Sequence, residues 1–274
     1  MILKPQSREE LSSILQSRTP APLHIASAGL VEENDLQDML AMSELNRMIA
    51  YDPREMIVRC EAGMLLKTLD RELASKGQWI PTLVAAESAE LSIGAALANN
   101  IYHPRALSMT PMRTSVLGGT FSTSNGQIFR SGSFVVKSVA GYDIHRAFVG
   151  SRGLLGVIVE VTLKVLPLPE RVIHLRIALE AQAAVKQFSP TVMEVDGDKL
   201  IVEISGYAED MEADLAELSR SGFAFEEISN DSWSEALRRI RQMRSSHTRT
   251  AATDPPDSLE ATLRKVFDPL GVLV

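Results

Sequence analysis

The sequence predicts an α+β protein with two domains, and three observations support this. Segments with helical periodicity alternate with short strand-like segments between residues 7 and 166. Pro167 and Pro169 then interrupt the chain. Beyond them the predicted order of elements is β-α-β-β-α-β, the order of a ferredoxin-like sandwich. We therefore place a domain boundary at these prolines.

Local signals define the elements before the boundary. Ser7 and Glu10 have the spacing of a capping box, and Gly77 is a helix stop signal. The predicted elements are a helix after Ser7, strands at 23–26 and 56–61, a helix ending near Gly77, a helix from Ser92 to Ala98, a hairpin of 116–121 and 127–130, a short helix at 144–149 and a strand at 157–166. The last strand alternates valines with Glu160 and Thr162, which predicts one dry face and one wetter face.

Beyond the boundary, the pattern predicts four strands and several helices. The strands are at 172–179, 192–195, 200–204 and 223–228, with helices ending near Phe188 and Gly222 and a further helix around Trp233. Residues 245–257 are polar with two prolines and are interpreted as a linker. A final helix is predicted to end at Asp268-Pro269.

Composition excludes several classes of function. The 274 residues carry a formal net charge of −7, which argues against a nucleic-acid partner. No apolar run is long enough to span a bilayer, and no signal peptide is evident, so a cytoplasmic location is expected.

Cys60 is the single cysteine and is predicted to be a buried structural thiol. The five histidines show no metal-ligand spacing, so no metal site is predicted; His103 is expected to be structural or solvent-facing, and His145 to lie on a helix surface.

Three glycines recur at every third position, as Gly150, Gly153 and Gly156. Main chain without side chains can adopt positive φ angles and can approach a flat or phosphorylated ligand closely. The same spacing also suits a tight connection that binds nothing. Spacing alone leaves both interpretations open.

The glycines belong to a longer motif that resembles a known family. The motif is Val136-Lys137-Ser138-Val139-Ala140-Gly141-Tyr142-Asp143 followed by Gly150-Ser151-Arg152-Gly153 and Gly156-Val157-Ile158, together with Ser92-Ile93-Gly94-Ala95-Ala96-Leu97-Ala98-Asn99-Asn100. It is similar to the FAD-binding subunits of glycolate oxidase-type enzymes, in the flavoprotein superfamily typified by vanillyl-alcohol oxidase. The resemblance implies a PCMH-type FAD-binding domain at 1–168, with lobes at about 1–60 and 61–168 that clasp FAD. It also implies a ferredoxin-like cap at 169–245 and a linker with a C-terminal return helix at 246–274.

The resemblance also implies a cofactor site, while catalytic residues stay unknown. Backbone amides of two glycine-rich loops are expected to hold the FAD diphosphate. Lys137 either contacts the cofactor or closes a structural ion pair. The implied FAD-binding residues are Gly29, Ser92, Ile93, Gly94, Asn99, Arg113, Lys137, Gly150, Gly153, Val157 and Ile158.

Two functional hypotheses follow. In the first, the chain is an FAD-linked subunit that oxidises a 2-hydroxy acid beside a larger FAD-bearing subunit and an iron–sulfur subunit, through which it could also attach peripherally to the inner face of the membrane. In the second, it is a scaffold that keeps the fold but has weakened or lost FAD. The second hypothesis depends on the first loop, where Gly29 is a lone glycine and Glu32 and Glu33 would repel a diphosphate.

Overall fold

The computed structural model describes residues 1–18, 21–26, 38–83, 91–101, 103–133, 143–247 and 259–273. Of the predicted site residues, Gly29 and Lys137 lie outside these ranges. The chain divides into two units. The first comprises Met1–Ile101, Met112–Leu166 and Thr253–Val274, and the second comprises Tyr102–Pro111 and Pro167–Ala252. The second unit therefore includes a short segment, 102–111, that lies far from the rest of it in sequence.

The first unit contains most of the strands described. They are β1 (Ile2–Leu3), β2 (Leu23–Ala26), β3 (Asp38–Ala41), β4 (Met48–Asp52), β5 (Ile57–Glu61), β6 (Gln78–Trp79), β7 (Val116–Ser122), β8 (Ile128–Gly132), β9 (Val157–Lys164) and β10 (Leu166–Pro167), the last of which crosses the boundary between the units. The α-helices that precede β10 are α1 (Arg8–Ser17), α2 (Leu66–Ala74), α3 (Ile93–Ala98) and α4 (Met112–Ser115), and a 3₁₀ turn covers Ile144–Phe148.

Two sheets organise this unit. Strands β1, β3 and β2 pair in parallel in that order, and β4, β5, β9, β7 and β8 form an antiparallel sheet. Helix α1 starts where the capping box predicts, because the Ser7 hydroxyl accepts a hydrogen bond from the Glu10 amide at 3.0 Å. It buries Leu11 and Leu15. Gly77 adopts a positive φ of 66° after α2, as its stop signal predicts.

Strand β9 lies in the middle of the antiparallel sheet, paired with β5 on one side and β7 on the other. The prediction of one wetter face is wrong, because Glu160 and Thr162 are both buried. Thr120 donates a hydrogen bond to the Glu160 carboxylate at 3.2 Å, and Arg8 forms an ion pair with it at 3.4 Å. The buried Glu160 is therefore tolerated in a central strand because a neighbouring strand and α1 supply its partners.

The second unit is built on a four-stranded antiparallel sheet. Its elements are β11 (Arg171–Ala178), α5 (Gln182–Val185), β12 (Val192–Asp196), β13 (Lys199–Gly206), α6 (Ala208–Arg220), β14 (Phe225–Glu227) and α7 (Asn230–His247). The strand order is β12-β13-β11-β14, the order that a split βαβ arrangement gives. One sheet face packs against Met211 and Leu218 of α6, and the other packs against Trp233 and Leu237 of α7.

The chain finally returns to the first unit through α8 (Leu259–Phe267). After this helix, the Asp268 carboxylate accepts hydrogen bonds from the amides of Val272 and Leu273, at 3.0 and 3.1 Å. Leu23 donates its amide to the Val272 carbonyl at 2.7 Å, and Leu23 and Leu273 pair in parallel. The return therefore extends the parallel sheet beside β2.

Candidate functional site

The glycine loop, residues 150–156, connects the 3₁₀ turn to β9. Gly150, Gly153 and Gly156 have φ angles of 88°, 83° and 137°, values that favour glycine over residues with a Cβ. Gly156 is also required by packing, since a Cβ there would lie 2.3 Å from the Ser122 carbonyl oxygen. Gly150 is exposed and Gly153 half-buried, and a Cβ at either would meet only side-chain atoms, at 3.4 and 3.3 Å. Their bare main chain is therefore accessible from outside.

Helix α3 and Arg113 hold this loop from two sides. The amides of Gly150 and Arg152 donate to the carbonyl oxygens of Leu97 and Ala98, at 3.0 and 2.8 Å. The Arg113 guanidinium donates to the Val149 carbonyl oxygen at 3.1 Å. The structure thus brings α3, Arg113 and the glycine loop together, as the predicted site requires.

The start of α3 is engaged by the protein itself. Ser92 caps the helix by accepting a hydrogen bond from the Ala95 amide at 3.3 Å. The Ile93 amide donates to the Met64 carbonyl oxygen at 2.9 Å, and the Gly94 amide donates to the Ala62 carbonyl oxygen at 2.7 Å. These two amides are therefore already hydrogen-bonded within the protein.

Gly94 has a packing reason to lack a side chain. A Cβ there would lie 2.8 Å from the Ala62 Cβ. Ala62 also donates its amide to the Val159 carbonyl oxygen at 2.9 Å, so it joins α3 to β9. The glycine at this position therefore lets two protein segments approach each other, whatever else it does.

The remaining predicted residues within the described ranges have structural roles. The exposed Asn99 ends α3, and its side-chain amide donates to the Ala95 carbonyl oxygen at 2.9 Å. Val157 and Ile158 are buried and begin β9, where they pair with Ser122 and Phe121 of β7. Their side chains belong to the core, so any ligand contact there would be through main-chain atoms.

One buried hydroxyl in the loop was not among the predicted site residues. The Ser151 side chain is buried, and its oxygen has no hydrogen-bond partner among the residues that the structure describes. Leaving a buried hydroxyl unpaired costs about 1–3 kcal/mol. An unpaired oxygen between accessible Gly150 and Gly153 fits a ligand with hydrogen-bonding groups, such as FAD. The motif contained this signal, but only burial distinguishes it.

Two glutamates lie close to the Ala62 junction, and arginines neutralise them. Glu61 and Glu160 stand opposite each other in the β5–β9 pair and are both buried. The Arg47 guanidinium contacts both oxygens of Glu61, at 2.8 Å in the shortest contact. Burial, followed by the charges of Glu61 and Glu160, raises the pKa of the Cys60 thiol to about 12. Cys60 is thus a buried structural thiol, as predicted.

A second polar cluster was missed by sequence reasoning and lies within the second unit. The Glu203 carboxylate is fully buried in β13 and accepts hydrogen bonds from Arg105 and from His174. The His174 ring stacks on Trp233, with ring centroids 4.2 Å apart and an interplanar angle of 8°. The available signal was an acidic residue within the apolar run Leu200–Ile204.

The structure also defines the surroundings of two histidines, His103 and His145. His103 is buried, and its Nδ1 accepts a hydrogen bond from the Arg105 amide at 3.2 Å, which is a structural role. The prediction that His145 lies on a surface is wrong, because it is buried beside Ser131, whose hydroxyl accepts from its amide at 3.1 Å. Burial is the largest cause that lowers the pKa of His145, which favours a neutral ring.

No group of acidic, histidine or cysteine side chains in the described ranges could hold a metal ion.

Comparison with known proteins finds a match for the first part of the chain. The FAD binding domain family matches residues 1–132. The predicted resemblance to FAD-binding proteins is confirmed, and the match supports FAD as the cofactor.

The curated relatives are named as oxidases or dehydrogenases of hydroxy acids. The chain is 35% identical over 142 residues to glycolate oxidase subunit GlcE of Escherichia coli (strain K12), a match that covers 52% of this chain and 41% of that protein. It is 32% identical over 142 residues to D-lactate dehydrogenase of Anaerostipes hadrus, covering 52% of this chain and 30% of that protein. The matches thus span less than half of these relatives.

A solved structure supports the fold more broadly. Alkyldihydroxyacetonephosphate synthase, in crystal form P212121, superposes with a TM-score of 0.67 at 15% identity, covering 89% of this chain and 55% of that one. This likeness concerns the fold alone, and it confirms the predicted α+β fold class. Among the described residues, no helix is long and apolar enough to cross a membrane.

Proposed function

We propose that this chain is an FAD-linked oxidoreductase subunit of a glycolate oxidase-type complex. It would take part in the oxidation of a 2-hydroxy acid and pass the electrons through the flavin to a partner. The observation that carries the proposal is the glycine loop, clamped between α3 and Arg113 in a chain whose first 132 residues match an FAD binding domain. The names of the relatives support the substrate class.

The residues around the loop would bind and orient the cofactor. The accessible main chain at Gly150 and Gly153 would let a dinucleotide lie against the protein, and the Ser151 hydroxyl would gain a hydrogen-bond partner. Arg113 would keep the loop in place and bring positive charge to the site. When bound, FAD supplies the two-electron redox chemistry that protein side chains lack.

Partners are part of this proposal. Cys60 is the single cysteine of the sequence, and its side chain is buried, so it cannot provide the several thiolates of an iron–sulfur cluster. A cluster, if the complex has one, belongs to another subunit. A larger FAD-bearing subunit would then provide the groups that act on the substrate.

A second candidate function is a scaffold subunit with weakened or lost FAD binding. The amides of Ile93 and Gly94 favour it, since both already donate to carbonyl oxygens of the protein. These are two of the backbone donors that the family resemblance assigns to the diphosphate. In the sequence, Glu32 and Glu33 follow the lone Gly29 of the first loop.

The two candidates differ in a direct measurement. The full chain is purified alone and after co-expression with its complex partners, and its visible absorption and its Kd for added FAD are recorded. A chain that is yellow when purified alone, or that binds added FAD, supports the first candidate, as does a co-expressed complex that holds more than one FAD per larger FAD-bearing subunit. A colourless protein that does not bind added FAD in either preparation supports the scaffold.

A variant tests the location of the site. Gly153→Glu places a charged side chain in the loop, with its Cβ 3.3 Å from the Ile25 side chain, and we expect loss of flavin from a folded protein. Gly197→Glu is the matched control, because Gly197 also has a positive φ of 67° but lies in a hairpin turn of the second unit with nothing within 4 Å of its Cβ position. Equal flavin content in the two variants would contradict the assignment of the loop.

A further inference from the structure

Residues 103–111 leave the first unit and join the second, and a buried ion pair fixes them there. We call this segment the excursion. The Arg105 guanidinium donates to both oxygens of Glu203, at 2.6 and 2.5 Å. Arg105 and Glu203 are 7% and 0% exposed, so the pair is removed from solvent. Ser108 adds a hydrogen bond from its hydroxyl to the Thr191 carbonyl oxygen.

The surroundings of Glu203 keep it charged for this arginine. Burial alone would raise its pKa, but hydrogen bonds and charge from His174 and Arg105 outweigh burial and lower it. His174 is itself held by stacking on Trp233 of α7. Removing one partner of a buried ion pair leaves an uncompensated charge, so the pair is a strong constraint on the excursion.

The two ends of the excursion lead directly to the elements that hold the glycine loop. Only residues 99–102 separate its start from α3, whose Leu97 and Ala98 carbonyl oxygens accept the amides of Gly150 and Arg152. Its end at Pro111 is followed at once by α4, which carries Arg113 and its hydrogen bond to the Val149 carbonyl oxygen. The chain that supports the loop from both sides is thus continuous with the excursion.

We infer that Arg105 and Glu203 are positioning residues for the cofactor loop. By fixing the excursion, their ion pair restrains the end of α3 and the start of α4, and these two segments restrain residues 150–152. The inference rests on the proposed function for its ligand, FAD. Its mechanical part concerns the protein alone.

The experiment uses the full chain with two single variants, Glu203→Gln and Arg105→Lys, each of which preserves approximate side-chain volume and weakens the bidentate pair. Arg239→Lys is the control for the chemical change, because Arg239 also makes two contacts with Asp196 in the second unit, away from the excursion, in a pair that is more exposed to solvent. Hydrogen exchange is measured at the amides of Ala106 and Met109 in the excursion and of Gly150 and Arg152 in the loop, all of which are hydrogen-bonded. The Kd for FAD is measured by flavin fluorescence well below the melting temperature.

We expect faster exchange at both the excursion and the loop in the two pair variants, and a Kd for FAD raised roughly five- to tenfold, within the usual range of coupling between sites. The control should leave the loop amides and the Kd unchanged. Faster exchange in the excursion with unchanged exchange in the loop would overturn the inference, as would unchanged exchange in the excursion. If one variant does not fold, the other decides.

The result also separates this inference from the proposed function. A wild-type chain that binds no FAD would refute the proposed function, while the exchange of the Gly150 and Arg152 amides would still test the coupling. A chain that binds FAD with the same Kd in all variants would refute the positioning role and leave the proposed function standing.

Discussion

Replacing Gly156 by alanine should destabilise the first unit strongly. The φ of this residue is 137°, a region that residues with a Cβ rarely adopt, and holding alanine there costs about 1–3 kcal/mol. The new Cβ would also lie 2.3 Å from the Ser122 carbonyl oxygen and 3.3 Å from a ring carbon of Phe148. Overpacking of this kind costs a further 1–3 kcal/mol or so. We therefore expect a loss of about 2–6 kcal/mol in the free energy of unfolding.

Gly77→Ala is the control for the backbone contribution. Gly77 also has a positive φ, 66°, but a Cβ there would have nothing within 4 Å. Its expected cost is the left-handed backbone penalty alone, about 1–2 kcal/mol. The difference between the two variants therefore reports the collision with β7 together with any extra backbone cost at a φ of 137°.

The assay is chemical denaturation followed by tryptophan fluorescence. The sequence has two tryptophans, Trp79 in the first unit and Trp233 in the second. A Trp233→Phe background leaves Trp79 to report on the first unit. A fall in the Trp79 transition midpoint that is equal for Gly156→Ala and Gly77→Ala would refute the argument from close approach.

Three further predictions concern single groups. Ser151→Ala should stabilise the FAD-free protein slightly, because it removes an unpaired buried hydroxyl. It should also raise the Kd for FAD about fivefold, which corresponds to the loss of one hydrogen bond of about 1 kcal/mol. A titration that gives an unchanged Kd would exclude the hydroxyl from the site. The lowered pKa of Glu203 contributes stability that is complete above its unfolded pKa of about 4.3 and is lost as pH falls through the lower folded value. The stability advantage of wild type over Glu203→Gln, read from Trp233, should therefore shrink on acidification, and a constant advantage would contradict this. Cys60, with its pKa raised to about 12, should resist thiol reagents at mildly alkaline pH in the native protein and react on unfolding, so rapid native labelling would show that it is not buried.

Local signals in the sequence predicted the local structure well. Ser7 and Ser92 cap helices as their spacing indicates, since a cap depends on residues three positions away. The hairpin of β7 and β8 and the order of elements in the second unit follow from turns and periodicity for the same reason.

Features that depend on distant residues could not be predicted. Nothing near Arg105 indicates that its partner, Glu203, lies 98 positions later in the chain. Gly94 looks like a ligand-binding glycine in sequence, yet a Cβ there would meet Ala62, a contact that only the fold creates. His145 has charged neighbours in sequence that indicate a surface, but Ser131 and the adjacent strands enclose it. The sequence therefore did not distinguish, among the proposed site residues, those that could face a ligand from those that pack.

The return of the chain after α8 has a consequence for biosynthesis. The pairing of Leu273 with Leu23 joins residues 250 positions apart, so this pairing in the parallel sheet of the first unit cannot form until translation has passed residue 273. The second unit needs only residues up to 252, so it can fold on the ribosome before the first unit is complete. During that time, the edge of the parallel sheet beside β2 is unpaired. We expect nascent chains stalled before residue 259 to expose that edge to chaperones or to aggregation.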